Sequence, residues 1–397
     1  MAKLLALDEA LARILEYARL LPTEEVDVDR VDGRVLREPA RARVDLPPFA
    51  SSAMDGFAVR AADTPGELPV AFRVAAGSPW LQPLPPRAAA GISTGGTVPD
   101  GADAVVPVEL VDDRGETVVL AEQAVAGQHV RPRGGDVTTG TVVATPGTRL
   151  TASRIGALAA VGVDSVVCSV RPRVAVLATG SELRAPGAAL EAGQIYESNR
   201  AMIAAVLARA GALVDVLPVV EDDREAHREA IAAALERDLV VTSGGVSMGE
   251  HDLVRSTEAE LGVKEVFWGV AIKPGKPLSF GTRGDTLVFG LPGNPVSSLV
   301  GAMVFVSPAI LARQGAAAPG PRFVVGRTTT SLRRNAQRDE FVRARRVDVA
   351  ETDELEPIQG QESHMIARAA AADALVHVPR GEGEIAVGSP VRYLSLD

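Results

Sequence analysis

Acidic side chains follow three stretches that the sequence predicts to be neighbouring β-strands. Glu182, Asp222 and Asp252 each come shortly after one of these apolar runs. In an open parallel sheet, ligands bind beyond the carboxyl ends of the strands, so we expect the three side chains to converge. Carboxylates at such an edge hold Mg²⁺ in sites that handle phosphate groups. The sequence therefore predicts a metal-assisted site for a phosphorylated ligand.

The third of these predicted strands, Leu239–Ser243, leads into a glycine-rich turn within the sequence LVVTSGGVSMGEHD. Gly244 and Gly245 let backbone amides approach a ligand that a Cβ atom would keep away. Amides left free at the next helix start favour an anion, while Glu250 and Asp252 could hold a metal or a hydroxyl group. A plain strand-to-helix turn explains the same residues equally well, because a lone glycine-rich turn is weak support for a site.

Lysine is rare in this chain, and its placement is uneven. It occurs at only four positions, the rest of the 41 basic residues being arginine. Lys273 and Lys276 fall together in the segment KPGKP, where two compact ammonium groups suit phosphate-like oxyanions. Two solvated lysines on a loop are the alternative. The last predicted strand of the same region is followed by GLPGNP, which adds three more candidate ligand-binding residues, Pro292, Gly293 and Asn294.

Several candidates also have a structural explanation. Asp222 or Asp223 begins a predicted helix, and capping is the commoner role for an aspartate there. Asp55, in SSAMDGFAVR, has a similar explanation as a turn residue beside Gly56. The five histidines show no metal-ligand spacing, and no serine lies in a nucleophile-elbow sequence. The P-loop lysine and the GxGxxG dinucleotide fingerprint are both absent.

The order of the predicted elements indicates two to four domains in 397 residues. An amphipathic helix opens the chain, a β-rich region with many Gly and Pro residues covers 26–148, and a helical period returns at 150–163. Strands and helices then alternate from residue 174 to about 314, which predicts a parallel sheet with right-handed crossovers. Short strands after residue 322 form a small β domain. The helices of the alternating region are predicted at Asn199–Ala210, Asp223–Glu236 and Pro295 to about Gln314, the last with Asn294 as its cap.

Composition excludes some classes of protein. A net charge of −10 argues against broad nucleic-acid or acidic-membrane binding, since those need a basic face. Acidic residues interrupt the leucines of the N-terminus, and no other apolar run has spanning length, so we expect a soluble, cytoplasmic protein. The single cysteine, Cys168, excludes an internal disulfide framework, and its apolar surroundings predict a small core residue.

Taken together, these motifs resemble the molybdopterin molybdenumtransferase family, the bacterial molybdate-insertion enzymes related to the C-terminal part of gephyrin. The resemblance covers essentially the whole chain. The matching segments are SSAMDGFAVR, ISTGGTVPDGADAVV, RPRGGDV, LATGSEL, IYESNR, the pair Asp222-Asp223, TSGGVSMGEHD, AIKPGKP, GLPGNPVS and QESHM.

The resemblance implies a multidomain α/β plus β fold. Its centre would be a mostly parallel, three-layer α/β domain resembling the molybdopterin adenylyltransferases, accompanied by a β-rich inserted domain and a small C-terminal β-barrel. The implied division is 1–20 with 40–47 and 136–171 as a discontinuous linker and dimerisation domain, 21–39 with 48–135 as the insertion, 172–318 as the α/β domain, and 319–397 as the barrel.

The family also implies a homodimer whose active cleft lies between the α/β domain of one subunit and the β-rich domain of the other. The apolar stripe of the opening helix suits a dimer as well, since it needs a partner in the chain or on a second subunit. A molybdopterin adenylyltransferase is the expected functional partner, and no nucleic acid or membrane is expected to bind.

The implied reaction transfers molybdenum from molybdate into adenylylated molybdopterin, releasing AMP and forming molybdenum cofactor with Mg²⁺ present. Molybdate is a tetrahedral oxyanion, which helix-start amides and lysines suit. The implied catalytic residues are Asp55, Asp136, Glu182, Asp222, Asp252 and Lys273, with Glu182, Asp222 and Asp252 as metal ligands. The implied ligand-binding residues are Thr94, Ser243, Gly244, Gly245, Lys276, Pro292, Gly293, Asn294 and Ser363.

The chain departs from the family pattern at two positions. Gly269 stands where many members have a basic residue, and Ser181 stands where an aspartate would offer one more metal contact. Two other functions remain open: a non-catalytic molybdopterin-binding or scaffold protein of the same fold, and a paralogue that handles tungstate or a variant pterin.

Overall fold

A six-stranded sheet forms the centre of the fold. The computed structural model describes residues 4–245, 253–349 and 352–396. Across the sheet, the strands follow the order Leu213–Val216, Arg173–Ala178, Leu239–Ser243, Thr286–Leu291, Ser279–Arg283 and Lys264–Trp268. The first four strands run parallel to one another, Ser279–Arg283 runs antiparallel to both of its neighbours, and Lys264–Trp268 therefore runs in the same direction as the first four. The sheet is therefore mostly parallel, as the sequence predicts, with an antiparallel edge that the sequence did not reveal.

Helices cover both faces of this sheet. Val174 and Val176 contribute to the core on one face, while their neighbours Ala175 and Leu177 contribute to the core on the other. This alternation follows from the period of two along a strand, and apolar residues at every position suit burial on both faces. The covering helices are Asn199–Arg209, Arg224–Ala234, Leu253–Glu260 and the long helix that begins at Pro295.

The long helix has three parts: Pro295–Gly301, a π-helical segment Ala302–Val306, and Ser307–Arg313. With 19 residues it is long and apolar enough to cross a membrane, but 72% of its apolar window is buried inside the protein, as in a core helix. Asn294 occupies the N-cap position and Pro295 the first turn, both as predicted, although Asn294 makes no side-chain capping bond.

The opening helix, Leu7–Tyr17, packs its apolar stripe within the chain. Leu7, Ala10 and Ile14 are buried in the same core as the long helix. Just before it, the Leu5 amide donates to the Gly269 carbonyl (3.2 Å), which ties the N-terminal segment to the α/β region. The stripe therefore has a partner without a second subunit, so the predicted link between this helix and a dimer loses its support.

The inserted β-rich region contains a second six-stranded sheet. In spatial order its strands are Ala104–Pro107, Gly56–Val59, Ala89–Ile92, Gly66–Val74, Thr117–Leu120 and Val111–Asp113. Phe57, Val59, Leu68 and Leu120 fill the core on one face. This region has a core of its own, as expected for an insertion.

A connecting region joins the N-terminal and middle parts of the chain. The strand Thr23–Asp27 pairs antiparallel with Ser165–Ser169, and Ala40–Arg41 pairs with Val142–Ala144. Val31 and Leu36 pack in the same core as the helix Ala152–Ala160. Assigning residues 21–39 to the insertion is therefore wrong, because their strand pairing and core lie with 142–169. The other predicted boundaries stay predictions.

The C-terminal region is a closed barrel of five strands. Asp339–Val349 pairs with both Thr352–Pro357 and Ala374–Val378, while Val324–Thr328 and Pro390–Ser395 complete the ring. The short strand Ile272–Lys273 adds parallel to Asp339–Glu340 and joins the barrel to the α/β region.

Smaller elements complete the chain. They are the strand pairs Ser51–Ser52 with Val130–Arg131, Leu183–Arg184 with Ile195–Tyr196 and Leu332–Arg333 with Glu384–Ile385, the helix Ile366–Ala369, and the 3₁₀ turns Val28–Arg30, Ala61–Asp63 and Val108–Leu110. The predicted fold class is confirmed.

Candidate functional site

A cleft of about 760 Å³ opens at the carboxyl ends of the parallel strands. It lies where open α/β sheets bind ligands, and its volume falls in the range of small-molecule sites. The predicted site residues on its wall are Glu182, Asp222, Ser243, Gly244, Gly245, Pro292, Gly293 and Asn294. Segments that are far apart in the sequence thus meet at one cavity, as the strand-end argument predicted.

The two glycines after Leu239–Ser243 are needed for packing. Gly244 has a φ of +95° and Gly245 a φ of +64°, and a Cβ atom at Gly245 would lie 2.4 Å from Val254 Cγ2. The Gly244 amide donates to the Leu291 carbonyl (3.1 Å). The Gly244 amide is therefore not free for a ligand, because the neighbouring strand takes that hydrogen bond.

The structure separates the two adjacent aspartates. Asp223 caps the helix Arg224–Ala234, with its Oδ1 accepting from the Ala226 amide (2.9 Å). Asp222 instead accepts a hydrogen bond at Oδ2 from the Ser181 amide (3.0 Å), and its own amide donates to Ser181 Oγ (3.0 Å). The capping explanation applies to Asp223 alone. The neighbouring loop holds the Asp222 carboxylate at the cleft.

Glu182 and Asp222 form an exposed acidic pair on the cleft wall without a basic partner among the described residues. Within the described ranges, no group of three or more His, Cys, Asp or Glu side chains gathers as a metal site. The third predicted ligand, Asp252, lies outside the described residues, as does Glu250. Mg²⁺ in sites of this kind takes one or two carboxylates and keeps several waters, so the pair fits that ion.

Behind the acidic pair, Asn199 connects two walls of the cleft. Its Nδ2 donates to Ser243 Oγ (2.9 Å) and to the Gly293 carbonyl (2.7 Å). Ser298 Oγ donates to the Pro292 carbonyl at the start of the long helix. These bonds fix the end of one strand against the loop that follows the next.

Lys273 ends the short strand Ile272–Lys273 and Lys276 lies on the loop that follows it. Neither lines the cleft, although Pro277 does. Lys273 Nζ pairs with Glu340 Oε1 of the barrel at 3.2 Å, with half of the lysine side chain exposed. Lys276 is exposed. The two ammonium groups thus stand at the junction between the α/β region and the barrel, and one of them already has a carboxylate partner.

Ser363 reaches the same junction from the barrel side. Its carbonyl accepts from the Val296 amide (3.0 Å), which joins QESHM to the first turn of the long helix. Arg343, fully buried, donates to the carbonyls of Gly360, Glu362 and Met365 and holds this segment in place. His364, which follows Ser363 in the sequence, lines the cleft.

The remaining predicted residues lie away from this cleft. Asp55 Oδ1 accepts from the Thr94 amide (2.6 Å) within the β-rich region, so Asp55 does more than form its own turn. Asp136 is exposed on the RPRGGDV loop. On the same loop, Thr139 donates its amide and its hydroxyl to Asp45, and these bonds, with Arg133, lower the pKa of Asp45 to about 2. One chain therefore gathers only part of the predicted site.

Comparison with known proteins matches every part of the chain. Three family descriptions fit: "MoeA N-terminal region (domain I and II)" at residues 5–162, "Probable molybdopterin binding domain" at 175–312, and "MoeA C-terminal region (domain IV)" at 325–396. The Molybdopterin molybdenumtransferase of Haemophilus influenzae is 33% identical, with 98% of both chains covered. The Molybdopterin molybdenumtransferase 2 of Mycobacterium tuberculosis is 36% identical, with 96% of this chain and 97% of the relative covered.

The chain belongs to the MoeA family. The molybdopterin biosynthesis MoeA protein of Pyrococcus horikoshii has the same fold, with a TM-score of 0.84 at 28% identity over 99% of this chain and 100% of that one. Another crystal structure of a molybdopterin biosynthesis MoeA protein from Pyrococcus horikoshii gives a TM-score of 0.78 at 31% identity, with 100% of each chain covered.

Both departures from the MoeA pattern have a physical explanation here. Gly269 has a φ of +89°, and a Cβ atom there would lie 2.8 Å from Leu4 Cδ2, so the N-terminal segment occupies the space of a side chain. Ser181 replaces a possible metal contact by a hydrogen bond that positions Asp222. Gly269 thus allows the N-terminal segment to pack closely. Ser181 helps to hold the Asp222 carboxylate at the cleft.

Two buried residues on the cleft wall of this MoeA-family chain were missed at the sequence level, Asn199 and His227. Asn199 lies in the matching segment IYESNR and is the first residue of a helix. The sequence prediction considered only residues directly after strands, so it did not include Asn199. His227 was set aside with the other histidines because its spacing suggested no metal. Burial lowers its pKa, although the Asp222 carboxylate, a hydrogen bond to the Glu221 backbone and the Asp223 carboxylate act in the opposite direction.

Proposed function

We propose that this chain inserts molybdenum from molybdate into adenylylated molybdopterin, releasing AMP and forming molybdenum cofactor. The coarser statement rests on family membership: the chain is a transferase of molybdenum cofactor biosynthesis. The proposal that molybdate is the substrate draws on the chemistry of the cleft. We test it against two alternatives, tungstate insertion and a scaffold function.

One observation supports the chemistry above the others. Glu182 and Asp222 present two carboxylates to a cleft at the strand ends, and neither has a basic partner among the described residues. We propose that these two, with Asp252, hold Mg²⁺. A bound Mg²⁺ ion supplies positive charge that polarises a phosphate linkage. Ser181 keeps the Asp222 carboxylate oriented toward the cleft through the paired hydrogen bonds between their backbones and side chains.

The oxyanion is proposed to bind at the junction with the barrel. Lys273 pairs with Glu340 of the barrel, and Ser363 of the barrel is bonded to the first turn of the long helix. With Lys276, three residues further along the chain, Lys273 offers two ammonium groups, which suit a tetrahedral anion. Glu340 shares the charge of Lys273 in this structure, so an arriving anion competes with that carboxylate for the ammonium group.

The carboxylates that lie away from the cleft are assigned to a second subunit. We propose a homodimer in which Asp55, Thr94 and Asp136 of one chain complete the cleft of the other. The proposed setting is the cytoplasm, with a molybdopterin adenylyltransferase supplying the adenylylated substrate.

The direct test is AMP release by purified protein that is given adenylylated molybdopterin, molybdate and Mg²⁺. Asp222→Ala, Asp252→Ala and Lys273→Ala should each lose most turnover while remaining folded. Glu229→Gln, on an exposed part of the helix Arg224–Ala234, is the matched control and should keep full activity. Full activity in all three site variants would show that the site is misplaced.

Two outcomes separate the alternatives. Tight binding of the substrate without AMP release at any molybdate concentration would favour the scaffold function. A higher turnover with tungstate than with molybdate in the same assay would show that tungstate is the substrate. The assay is needed because the two oxyanions are similar in size and charge.

A further inference from the structure

The described side chains that line the cleft include carboxylates but no lysine or arginine. The carboxylates are those of Glu182, Glu197 and Asp222. Buried Glu197 already pairs with Arg200, whose Nε lies 2.9 Å from Glu197 Oε2, which leaves the acidic pair as the uncompensated charge on this wall. A ligand that carries anionic groups into this cleft therefore needs hydrogen-bond donors that can also hold positive charge.

Two histidines line the same cleft, and their exposure differs. His227 is 2% exposed, and because burial lowers its pKa, its charged form is disfavoured. His364 is exposed, and its side chain makes no hydrogen bond or ion pair with another described residue. An imidazole offers one N–H donor when neutral and two when protonated. His364 is thus the exposed side chain of the described wall that can donate to an anion and also carry positive charge.

The barrel holds the backbone on both sides of His364. Arg343, fully buried, donates to the carbonyls of Glu362 (3.1 Å) and Met365 (2.6 Å). Between them, the Ser363 carbonyl accepts a backbone N–H from the first turn of the long helix (3.0 Å). A backbone fixed in this way lowers the entropic cost of placing the imidazole against a ligand.

The order of the strands separates His364 from the acidic pair along the cleft. Glu182 follows the strand Arg173–Ala178, whereas the segment of His364 is bonded to the helix that follows Thr286–Leu291. Leu239–Ser243 lies between these two strands, which are therefore about 10 Å apart. His364 thus meets a different part of a bound ligand from the part that the acidic pair meets.

We propose that the His364 imidazole binds a tetrahedral oxyanion in the cleft, donating a hydrogen bond to one of its oxygens. The proposal rests on the proposed function, because that reaction brings oxyanions of two kinds to the cleft, the phosphate of the AMP part and molybdate. Both present anionic oxygens of the kind that form short, strong bonds with an imidazole N–H. His364 is a binding residue, and no proton transfer or metal contact is assigned to it.

The test uses the full chain with Mg²⁺ and three separate probes, AMP, adenosine and molybdate, and measures each Kd by calorimetry. His364→Leu removes both ring nitrogens at an exposed position, so Tm should stay close to the wild-type value. If His364 binds phosphate, Kd for AMP should rise about tenfold, the effect of losing a charge-assisted hydrogen bond, while Kd for adenosine stays unchanged. If it binds molybdate, Kd for molybdate should rise by a similar factor, and Kd for AMP should not change.

Arg368→Gln is the matched control. Arg368 is an exposed cation four residues further along the same segment, and it does not line the cleft. Its loss should leave all three Kd values at the wild-type level, which separates a contact from a general effect of charge. His364→Gln keeps an N–H donor without the charge and should recover part of the affinity that His364→Leu loses. His364→Arg, with several donors and a permanent charge, should recover more.

The proposal is overturned if His364→Leu binds both anions as the wild type does, or if the wild type binds neither. It is also overturned if adenosine binding weakens as much as AMP binding, or if Arg368→Gln weakens binding equally. None of these measurements needs turnover. A wild type that binds an anion through His364 but releases no AMP from the adenylylated substrate would leave this inference standing and remove the proposed reaction.

Discussion

Asp222 and Asp55 are held by the same local arrangement in two different regions. Each carboxylate accepts a backbone N–H from a distant segment, Asp222 from Ser181 (3.0 Å) and Asp55 from Thr94 (2.6 Å). Asp222 opens into a cleft that also contains Glu182. Asp55 directly precedes the strand Gly56–Val59, beside Met54, which is 38% exposed, and the Asp55 carbonyl accepts from the amide of Val108, which is 43% exposed.

The comparison shows that an oriented carboxylate is not by itself a site. The α/β region supplies Asp222 with a cavity and with other polar groups that one chain brings together at its strand ends. The β-rich region orients Asp55 equally well, but Asp55 does not line that cleft. Under the proposed function, the missing surroundings of Asp55 belong to a second copy of the chain, and this distinction can be tested.

The largest effect is expected at Asp222. Asp222→Asn retains an acceptor for the Ser181 amide and removes the charge, so we expect AMP release to fall about a hundredfold or more, as when a metal site loses a key ligand. Glu229→Gln should match the wild type, and Tm should change little because Asp222 is exposed. If Asp222→Asn keeps its turnover, the α/β cleft is no more important for AMP release than the region around Asp55.

The second prediction tests whether the two carboxylates belong to one site. Asp55→Asn and Asp222→Asn are placed on differently tagged chains, and the mixed dimer is isolated. A cleft shared between subunits leaves one of two sites intact, so the dimer should retain about half the wild-type activity.

A dimer that carries both substitutions on one chain, with a wild-type partner, is the control for this experiment. It should be inactive, because each shared cleft then contains one defect. The reverse pattern, with activity in the control only, would place Asp55 and Asp222 of the same chain together. A monomer by light scattering at micromolar concentration would remove the shared cleft altogether.

A smaller effect is expected at Ser181. Ser181→Ala removes the hydroxyl that accepts from the Asp222 amide but leaves the backbone donor to the carboxylate. One lost neutral hydrogen bond is expected to lower turnover by about tenfold or less. The half-saturating Mg²⁺ concentration should rise at the same time. If Ser181→Ala is as inactive as Asp222→Asn, the hydroxyl itself acts in the chemistry and the positioning role is wrong.

The smallest effect is expected at Asp45, a third carboxylate that accepts a backbone N–H from a distant segment. Asp45 does not line the cleft at the strand ends, so it should affect stability alone. Its bonds to Thr139 lower its pKa from 3.8 to about 2. A depressed pKa in the folded state stabilises the protein above the unfolded pKa, and this stabilisation is lost as the pH falls from 3.8 toward 2. Asp45→Asn should lower Tm near neutral pH, and the difference from the wild type should shrink below about pH 4.

Turnover of Asp45→Asn should stay at the wild-type level near neutral pH. A Tm difference between the two proteins that persists unchanged to about pH 2 would show that the ionised carboxylate is not the stabilising form.

The sequence predicted the buried core of the α/β region best. Leu239–Ser243 was predicted and found with the same bounds, because the consecutive apolar residues Leu239, Val240 and Val241 suit a strand buried on both faces. Thr23–Asp27, reading TEEVD, gives no such signal and is a strand only because Ser165–Ser169 pairs with it. Pairing between segments so far apart is set by the tertiary fold, and spacing along the chain does not contain it.

Contacts between distant segments also decided the roles of the site residues. Spacing alone could not tell which of Asp222 and Asp223 caps the helix, because the deciding partner, Ser181, arrives from the neighbouring strand end. His227 could not be singled out from the sequence, because only the tertiary fold brings it to the wall of the cleft. Asp252 lies outside the described residues and stays a prediction.

The buried Cys168 gives the chain a built-in reporter of its own opening. Its Cα faces Glu24 across the pairing of Thr23–Asp27 with Ser165–Ser169, and burial raises the pKa of its thiol. The thiolate is the reactive form, so an alkylating reagent should reach this sulfur only when the pairing separates. Since it is the one cysteine in the sequence, the rate of labelling would measure how often the N-terminal segment detaches, with no engineered probe.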